Sequence, residues 1–459
     1  MNRRESVQTA AAAMATLSAL PNFVLGQTGK TPLDRKLNIA SVGVMGMGSI
    51  NLRGLCKPLS ERTEGEWPDT DSQNIVALCD VDWDRAQESF DEYPEAKRYK
   101  DYRIMLKEMG DEIDAVVIAT PDHTHACIAM EAMRRGKHVF VQKPLTRTVY
   151  EARVLTEAAR KYGVVTQMGN QGHSGEGNRR ICEWIWDGAI GDVREVHAWT
   201  DRPVWPQPVA RPQDTPPIPE TLDWDLWLGP APYRPYHPSY HPFAWRAWHD
   251  FGTGALGDMA CHTLDPVFWA LKLKYPTSVE ASYAKFQGKE FPGSYPAASI
   301  THYEFPEREG MPAVKVHWYD GGLLPERPVE LEEGRRIGEG GQGALFVGDK
   351  GKLMSGTYGS SPQLIPYSKM KAYQKPEQTI PRIKGGQHEM DWVNAIKEGR
   401  QPSSSFDYSG PLSEMVLMGN LAQLAPGKKL LWDGVNMQVT NVPELNKYIK
   451  PTYREGWHL

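Results

Sequence analysis

The sequence is poor in cysteine, in net charge and in long apolar runs, and each shortage excludes a class of protein. Its five cysteines include no Cys-X-X-Cys pair, which favours buried thiols over a disulfide framework. The formal net charge of -5 gives no basic footprint for nucleic acid. Beyond the N-terminus, no segment reaches the roughly 18 consecutive apolar residues of a membrane-spanning helix. We therefore expect a globular protein without a nucleic-acid partner or stable membrane insertion, and 459 residues suffice for two domains.

The N-terminus is basic and then alanine-rich, which is typical of an export signal. Arg3 and Arg4 precede the modest apolar stretch TAAAAMATLSAL, and paired arginines indicate the twin-arginine route, which carries folded proteins. We interpret residues 1–30 as this signal and expect export to the periplasm or beyond. An ordinary amphipathic helix is the alternative.

A glycine cluster after the first apolar run predicts a dinucleotide site. Residues 37–42 form a short, mainly apolar strand that runs into GVMGMGS, with glycines at positions 43, 46 and 48. Glycines at such a turn let backbone N–H groups at a helix N-terminus approach a pyrophosphate. Met45 stands where the usual fingerprint has its middle glycine.

The next predicted strand ends in an acidic residue that selects the cofactor. Residues 75–79 are apolar and lead into Asp80, the position at which a carboxylate hydrogen-bonds the adenosine ribose of NAD. The interval from the glycine cluster is long because residues 57–74 are polar and contain proline, glycine and many charges, which is typical of a surface insertion. Asp80 favours NAD over NADP.

A predicted strand, a helix and a second strand then lead to a lysine at the end of the second strand. The apolar run 115–119 stops just before Pro121, a helix follows, and the strand His138–Val141 leads to Lys143. In open α/β sheets, ligands bind outside the carboxyl ends of the strands. We therefore expect Pro121, His123 and Lys143 to lie along one sheet edge and to form part of a site.

Helix and strand patterns divide the rest of the chain. A predicted helix at Val149–Tyr162 and a last strand at 164–168 complete a Rossmann domain that spans residues 36–168. Residues 169–459 are predicted to form an α+β domain for substrate binding and oligomerisation, with a large, open, mainly antiparallel sheet. Its predicted elements are a helix at 178–186 and strands at Val193–Trp199, 279–286 and Val314–Tyr319.

Residues 203–248 are rich in proline and tryptophan. They are too aromatic for a disordered linker, because burial of the rings can offset the entropy of ordering them. We expect a packed arm. It could wrap the sheet or a neighbouring subunit, or its aromatic faces, including Trp245, could stack on sugar rings.

Asp258 and His262 form the second chemical motif, within GTGALGDMACHTLDP. They are four residues apart, so on a helix they share one face. Hydride transfer from a secondary alcohol requires a base for the hydroxyl proton and donors for the oxygen. Lysine, histidine and aspartate can supply these groups, although such a pair is also common as a structural contact.

Together these motifs resemble one known family. GVMGMG, Asp80, ATPDHTH, QKPL and GDMACHTLD are similar to motifs of the glucose-fructose oxidoreductase, inositol dehydrogenase and rhizopine catabolism family, over nearly the whole chain after residue 30. The resemblance implies NAD as cofactor, catalytic roles for Lys143, Asp258 and His262, and substrate contacts for these three residues with His173 and Trp245. The implied cofactor-binding residues are Gly43, Met45, Gly46, Met47, Gly48, Asp80, Thr120, Pro121, His123, His125, Gln142, Lys143 and Asn170.

Two positions depart from the family pattern. Gln142 stands where the family motif has a glutamate before the lysine, and Met45 replaces a fingerprint glycine. Glutamine can still hydrogen-bond a ribose hydroxyl, but it carries no charge. Met45 affects the expected pyrophosphate geometry more than the binding of NAD itself.

Location and chemistry leave three functions open. The first is an NAD-dependent oxidoreductase acting on a sugar or glycoside hydroxyl, with Lys143 as base and a tightly bound, recycled cofactor, because little nicotinamide is free outside the cytoplasm. The second is a redox-neutral glycoside hydrolase or lyase that oxidises, eliminates and reduces again, releasing an aglycone without net NADH. The third is an exported carbohydrate-binding protein that has lost catalysis.

Metal chemistry and assembly complete the expectations. Several histidines, at positions 123, 125, 173 and 262, could suggest a metal hydrolase, but they lack a ligand spacing such as His-Glu-X-X-His. His123 and His125 are expected on a loop, with the simpler role of shaping the cofactor site. We therefore expect no metal. An open sheet face usually needs covering, which predicts a homo-oligomer, either a dimer or a tetramer.

Overall fold

Two β-sheets organise the computed structural model, a six-stranded sheet and a nine-stranded sheet. The structure describes residues 35–61, 72–285, 289 and 291–459. The interpretation of residues 1–30 as an export signal and most of the predicted insertion at 57–74 lie outside the described residues.

The first sheet is the parallel sheet that the sequence predicts. Its strands are β1 Asn38–Val42, β2 Asn74–Cys79, β3 Lys97–Tyr99, β4 Ala115–Ile118, β5 His138–Val141 and β6 Thr166–Met168. They follow the order β3-β2-β1-β4-β5-β6, and all neighbouring pairs are parallel. Every residue of β4 is buried, which explains the continuous apolar sequence of this strand, because helices cover both faces of a doubly wound sheet.

The helices of this part of the chain begin and end at recognisable signals. They are α1 Met47–Leu55, α2 Trp83–Glu92, α3 Tyr102–Glu108, α4 Asp122–Arg134 and α5 Val149–Tyr162. Before α5, Thr148 and Glu151 form a reciprocal capping box, and Gly163 ends the helix in the left-handed conformation. These caps explain why the predicted bounds of α5 agree with the structure.

The second sheet is mixed and mainly antiparallel. Its strands are β7 Val193–Trp199, β8 Ser278–Tyr283, β9 Ser299–Phe305, β10 Val314–Tyr319, β11 Gly343–Gly348, β12 Gly351–Ser355, β13 Gln363–Ile365, β14 Leu430–Asp433 and β15 Gln438–Val439. The order is β13-β12-β11-β7-β10-β9-β8-β14-β15. Among the described strands of this sheet, β7 and β10 pair in parallel and the other neighbours are antiparallel. The predicted fold class is confirmed.

One long helix joins the two sheets. The helices of the second part are α6 Glu176–Trp186, α7 Trp224–Leu228, α8 Gly254–Thr263, α9 Asp265–Ala270, α10 Tyr367–Ala372, α11 His388–Glu398 and α12 Phe406–Gln423. Glycines let α12 approach both neighbours: a Cβ on Gly410 would lie 2.0 Å from the hydroxyl of Thr156 on α5, and one on Gly419 would lie 2.2 Å from the hydroxyl of Tyr303 on β9. This packing fixes α8, which also contacts α12, relative to the parallel sheet.

The arm, residues 203–248, packs around its own aromatic core. Trp224 and Trp227 stack with centroids 4.5 Å apart, inside a cluster that also contains Trp248. The arm is also hydrogen-bonded to the chain that follows β2, because the Asp223 N–H donates to the Val81 carbonyl over 2.9 Å. The arm therefore lies across the carboxyl end of β2.

The five cysteines are all free and buried. Burial raises the pKa of the Cys127 and Cys261 thiols to about 12, so these side chains stay protonated and behave as small apolar groups. Among the helices of the described ranges, none combines the length and apolar character needed to cross a bilayer.

Candidate active site

A cavity of about 470 Å³ lies along the carboxyl edge of the parallel sheet, closed by α8 and the arm. Its first-domain lining includes Gly43, Met45, Gly46, Met47, Asp80, Thr120, Pro121, Asp122, Gln142 and Lys143, and the rest of the chain contributes His241, Phe243, Trp245, Arg246, Thr253, Asp258 and Trp457. The cavity thus lies at the sheet edge that the sequence predicts.

The turn between β1 and α1 leaves room for a phosphate group. Gly43 has a φ of 77°, and a Cβ there would lie 2.7 Å from the backbone of Ala119, so only glycine fits. Gly48 also lies against Gly43, and a Cβ on it would come within 2.1 Å of the Gly43 carbonyl oxygen. A Cβ on Gly46 would meet no atom within 4 Å. Because α1 begins at Met47 without a capping side chain, N–H groups of its first turn can bind an anion.

Asp80 supports this turn and also faces the cavity. Its Oδ2 accepts the N–H of Val44 at 3.0 Å, and its Oδ1 accepts the N–H of Asp82 at 3.1 Å. Burial raises the pKa of Asp80, although both donors act in the opposite direction. The carboxyl group is therefore held rigidly beside the glycine turn, where it fits a ribose hydroxyl.

Gln142 lines the cavity and carries an unused acceptor. Its Nε2 donates to Asn51 Oδ1 over 2.9 Å, and Asn51 donates in turn to Glu389 over 2.6 Å. Its Oε1 is buried without a hydrogen-bond partner among the described residues. A buried acceptor of this kind is costly unless a ligand supplies the donor. Gln142 and the open glycine turn therefore fit the ribose and phosphate groups of NAD.

Lys143 and Asp258 meet in the wall of the cavity. The Lys143 Nζ donates to Asp258 Oδ1 over 2.9 Å and to the Asp258 carbonyl over 2.8 Å. Burial would raise the pKa of Asp258, but the cations of Lys143 and Arg246 outweigh it, and the pKa lies below its usual value. The structure thus brings together a lysine from the end of β5 and a carboxylate from α8, as the sequence predicts.

Sequence reasoning missed two charged residues of this wall. Asp122 directly follows Pro121, and its Oδ2 accepts a hydrogen bond of 2.6 Å from the Thr253 hydroxyl. Burial raises the pKa of Asp122 to about 7. Arg246 lies in the arm, with its Nε 3.6 Å from Asp258 Oδ1. The available signals were an acid at the carboxyl end of a predicted strand and an arginine between tryptophans in FAWRAW.

His123 and His125 lie in the first turns of α4, and the sequence-based interpretation that they occupy a loop is wrong. The ring nitrogens of His123 lie 3.2 Å and 2.9 Å from the carbonyl oxygens of Phe251 and Trp227, and those of His125 lie 3.0 Å and 2.8 Å from the carbonyl oxygens of Pro144 and Thr120. Each neutral imidazole has one N–H and donates it to one carbonyl of its pair. Burial lowers the pKa of His123 to about 4. Neither imidazole is among the described residues that line the cavity. Both contact backbone carbonyls next to the cavity and stabilise the chain there.

His173 and Asn170 also lie outside the described cavity lining. The His173 ring stacks on Trp269 at 4.2 Å, and its Nδ1 is 2.9 Å from Asp265. The Asn170 Oδ1 accepts a hydrogen bond from Ser404. Both residues connect β6 with α9 and the chain before α12.

His262 lies one turn beyond Asp258 on α8, as expected for a shared face. It is buried against the ring of Tyr358, with centroids 4.7 Å apart. Burial and the positive charge of Lys143 hold its pKa well below the usual value, so the imidazole is neutral. His262 is not among the described lining residues. No group of three potential metal ligands was found in the part of the chain that the structure describes.

The predicted substrate residue Trp245 does line the cavity, and its ring lies beneath the Arg246 guanidinium at 4.2 Å. The arm approaches the cofactor end as well, because His241 Nε2 is 2.8 Å from Asp82 Oδ2. One face of the arm therefore closes the cavity along much of its length.

Comparisons with known proteins agree with this architecture. Residues 40–170 match the model of an oxidoreductase family, NAD-binding Rossmann fold, and residues 202–302 match the C-terminal alpha/beta domain of the same oxidoreductase family. Among solved structures, levoglucosan dehydrogenase in complex with NADH and levoglucosan covers 86% of this chain and 99% of its own, with a TM-score of 0.55 and 18% identity. That likeness shows a common fold.

Sequence relatives match over the first part of the chain. Inositol 2-dehydrogenase of Salmonella typhimurium is 31% identical over 163 residues, which are 35% of this chain and 45% of the relative. The dTDP-3,4-didehydro-2,6-dideoxy-alpha-D-glucose 3-reductase of Actinomadura kijaniata is 31% identical over 170 residues, 37% of this chain and 48% of the relative. The chain thus spans about half the length of these relatives. With both family models matched and an NAD-binding Rossmann domain in place, the chain belongs to the glucose-fructose oxidoreductase, inositol dehydrogenase and rhizopine catabolism family of oxidoreductases.

Proposed function

We propose that the protein oxidises a secondary hydroxyl of a sugar or glycoside, with NAD held in the cavity as its cofactor. The observation that carries this proposal is the Lys143–Asp258 pair, which lies in the same cavity as the glycine turn. The relatives that match the first part of the chain are named for reactions on inositol and on a nucleotide sugar, which supports a polyhydroxylated ring as substrate.

The cofactor would be held by residues that the structure leaves open toward the cavity. The turn at Gly43 and Gly46 fits the pyrophosphate, Asp80 fits the adenosine ribose, and Gln142 Oε1 fits the second ribose. NAD, when bound, supplies the site that accepts or returns a hydride.

Lys143 is the proposed base. In the oxidising direction Lys143 first releases its own proton to solvent, and the uncharged Nζ then receives the proton of the substrate hydroxyl; in the reducing direction its ammonium group returns that proton to the carbonyl oxygen. Asp258 orients Nζ through the 2.9 Å hydrogen bond, and its carboxylate lies beside the positive charge that Lys143 carries once the proton has arrived. His262, neutral and one turn away, positions α8 and the rings around the site.

The arm supports a tightly held cofactor, which would be recycled on the enzyme when a second sugar, or the same substrate after an intervening step, takes the hydride back. Phe243 and Trp245 close the cavity from the arm side, and backbone hydrogen bonds tie the arm to Val81 and Trp83 after β2. A cofactor beneath this cover leaves only when the arm moves, so its dissociation is slow. We include export by the twin-arginine route in the proposal, because a retained cofactor is what an enzyme needs where free NAD is scarce.

Replacement of Lys143 tests the proposed function. In the holoenzyme we expect Lys143→Met to lower kcat for oxidation of the best sugar substrate about 10²- to 10⁴-fold, the range of a lost general base, while NAD stays bound. Lys137→Met is the matched control, since Lys137 lies just before β5 and outside the described cavity lining; it should keep the parent rate. Rates within a few-fold of the parent for Lys143→Met would refute the role of the lysine.

Product analysis separates this function from redox-neutral cleavage. A glycoside substrate is incubated with the holoenzyme, and the aglycone, the oxidised sugar and NADH are each measured. Oxidised sugar with matching reduction of the cofactor supports the proposal. Free aglycone without net NADH would assign the glycosidase or lyase reaction instead.

A further inference from the structure

When Lys143 is protonated, the wall of the cavity around it carries more positive than negative charge. Lys143 and Arg246 both approach Asp258, with Nζ 2.9 Å and Nε 3.6 Å from its Oδ1. Asp122 is the other acid of this wall, and burial keeps it largely protonated up to about neutral pH. Two cations therefore share one ionised carboxylate, and a neutral sugar would leave this imbalance in place.

The guanidinium of Arg246 is oriented by aromatic rings. It lies 4.2 Å from the centroid of Trp245 and 4.7 Å from that of Phe243, and its Nη1 donates to the Phe243 carbonyl over 3.2 Å. Stacking on rings fixes the plane of the guanidinium without using its N–H groups.

The remaining donors of Arg246 have no strong acceptor. The 3.6 Å separation from Asp258 is too long for a hydrogen bond, and within the described ranges Nη2 has no hydrogen-bond partner. A planar guanidinium with one open edge matches the two oxygens of a carboxylate. It is weakly suited to a neutral hydroxyl, which offers a single oxygen.

We propose that Arg246 binds a carboxylate on the substrate, so that the sugar oxidised is a uronate or a glycoside of one. The inference rests on the proposed function, because it places the acidic sugar in the cavity with the hydroxyl to be oxidised at Lys143. Asp258 then neutralises Lys143, and the substrate carboxylate neutralises Arg246. Trp245, beneath the guanidinium, provides an apolar face for the sugar ring.

The test compares sugars that differ at one carbon. Methyl glucosides, galactosides and mannosides are each paired with the corresponding uronide, and binding to the NAD-loaded full chain is followed by quenching of tryptophan fluorescence, alongside kcat/KM for oxidation. A hydrogen-bonded charge pair predicts that at least one uronide is preferred over its neutral partner about 10- to 100-fold. Equal binding within every pair would overturn the proposal.

Substitution of Arg246 tests whether this residue causes the preference for uronides. Arg246→Gln should remove the preference for uronides by raising the Kd and KM for the uronide about 10- to 100-fold, with little effect on the neutral sugar. Arg246→Lys should restore only part of this preference, because lysine lacks the planar, two-pronged arrangement of N–H donors. Arg202→Gln is the control, since the Arg202 side chain pairs with Asp201 and lies outside the described cavity lining; it should keep the full preference.

Three further outcomes are decisive. A loss of NAD affinity in Arg246→Gln, with the sugar preference intact, would show that Arg246 binds the cofactor and would overturn the proposal. Tighter binding of glucose 6-sulfate than of the uronides would replace the carboxylate with a sulfate ester and also overturn it. A protein that prefers uronides through Arg246 but oxidises none of them would support the carboxylate-binding role of Arg246 while refuting the proposed hydride transfer.

Discussion

Burial and hydrogen bonding determine the charge of each acid in the cavity, as Asp122 and Asp258 show. Both are buried carboxyl groups near Lys143, yet the pKa of Asp122 is raised to about 7 by burial, whereas two close cations hold that of Asp258 below its usual value. Asp122 accepts one hydrogen bond, from the Thr253 hydroxyl, which lowers its pKa less than burial raises it. Asp258, the acid bonded to Lys143, is therefore ionised at neutral pH, whereas Asp122 gains or loses its proton near that pH.

Asp122 predicts a pH dependence of both stability and activity. The folded protein binds the Asp122 proton more tightly than the unfolded chain, so its contribution to stability is greatest below the unfolded pKa of about 3.9 and falls as the pH rises to about 7, by at most about 4 kcal/mol. Asp122→Asn should remove this fall, as measured by urea unfolding at about pH 5 and pH 8. It should also remove an ionisation near pH 7 from the profile of kcat/KM.

Asp320 provides the matched control for this prediction. Burial raises its pKa to about 7 as well, but it bonds Ser299 and Trp318 in the second sheet and lies outside the described cavity lining. Asp320→Asn should therefore remove a similar share of the fall in stability with pH, leave the share due to Asp122, and leave the activity profile unchanged. If both variants changed the activity profile equally, Asp122 would have no special role in the site.

Among single residues, the sequence could identify those whose position follows from a strand or helix pattern. Lys143 and Asp258 were predicted because one follows a strand and the other shares a helix face with His262. Arg246 could not be placed, because it belongs to the irregular arm, whose route depends on how aromatic rings pack far apart in sequence. The burial that raises the pKa of Asp122 is likewise a property of the folded chain.

At the scale of elements, local sequence signals determine where each strand begins and ends, whereas long-range pairing determines the order of the strands in the sheet. The strands His138–Val141, Val193–Trp199 and Val314–Tyr319 agree with prediction residue for residue, since each is an apolar or alternating run between clear breaks. The parallel pairing of β7 with β10 was not predictable, because these strands are separated by more than a hundred residues of intervening chain. No local pattern encodes such a partner.

The glycine turn between β1 and α1 leads to a prediction about the affinity for NAD. Gly43→Ala should weaken NAD binding about 10-fold or more, because a methyl group would lie 2.7 Å from the backbone of Ala119 and displace the turn. The control is Gly136→Ala, where φ is 72° and no atom lies within 4 Å of the added Cβ. It carries only the backbone strain, about 1 kcal/mol of stability, and should bind NAD normally. Isothermal titration calorimetry measures both, and equal affinities would refute the assignment of the turn.

The contact between the arm and β2 predicts slow release of the cofactor. His241→Ala removes the 2.8 Å contact with Asp82 and opens the wall of the cavity, so NAD should dissociate about 10-fold faster. His237→Ala is the control, because His237 bonds Ser239 within the arm and lies outside the described cavity lining. Stopped-flow exchange of bound NAD for a fluorescent analogue measures both rates. An unchanged rate in His241→Ala would show that the arm does not retain the cofactor.

At the scale of the whole molecule, the two domains and the arm line one cavity, which is the arrangement that the proposed export with a retained cofactor requires. The α12 helix packs against α5 of the first domain and against α8, while the arm crosses back over β2. NAD would therefore contact three parts of the fold. Folding before export, as the twin-arginine route requires, would allow the site to close around NAD in the cytoplasm.

This leads to a prediction about the exported protein. In a bacterium with a twin-arginine translocase, we expect the chain purified from the exported fraction to contain about one NAD or NADH per molecule, released on denaturation and identified by mass spectrometry, since ligand dissociation is slower than export. A double variant with Arg3→Lys and Arg4→Lys should remain in the cytoplasm with the same nucleotide content. His241→Ala should be exported but should arrive with less cofactor, because its site opens more readily. An exported wild-type protein that is empty and does not rebind NAD would contradict the retained cofactor, whereas unchanged export of the double-lysine variant would contradict only the proposed route.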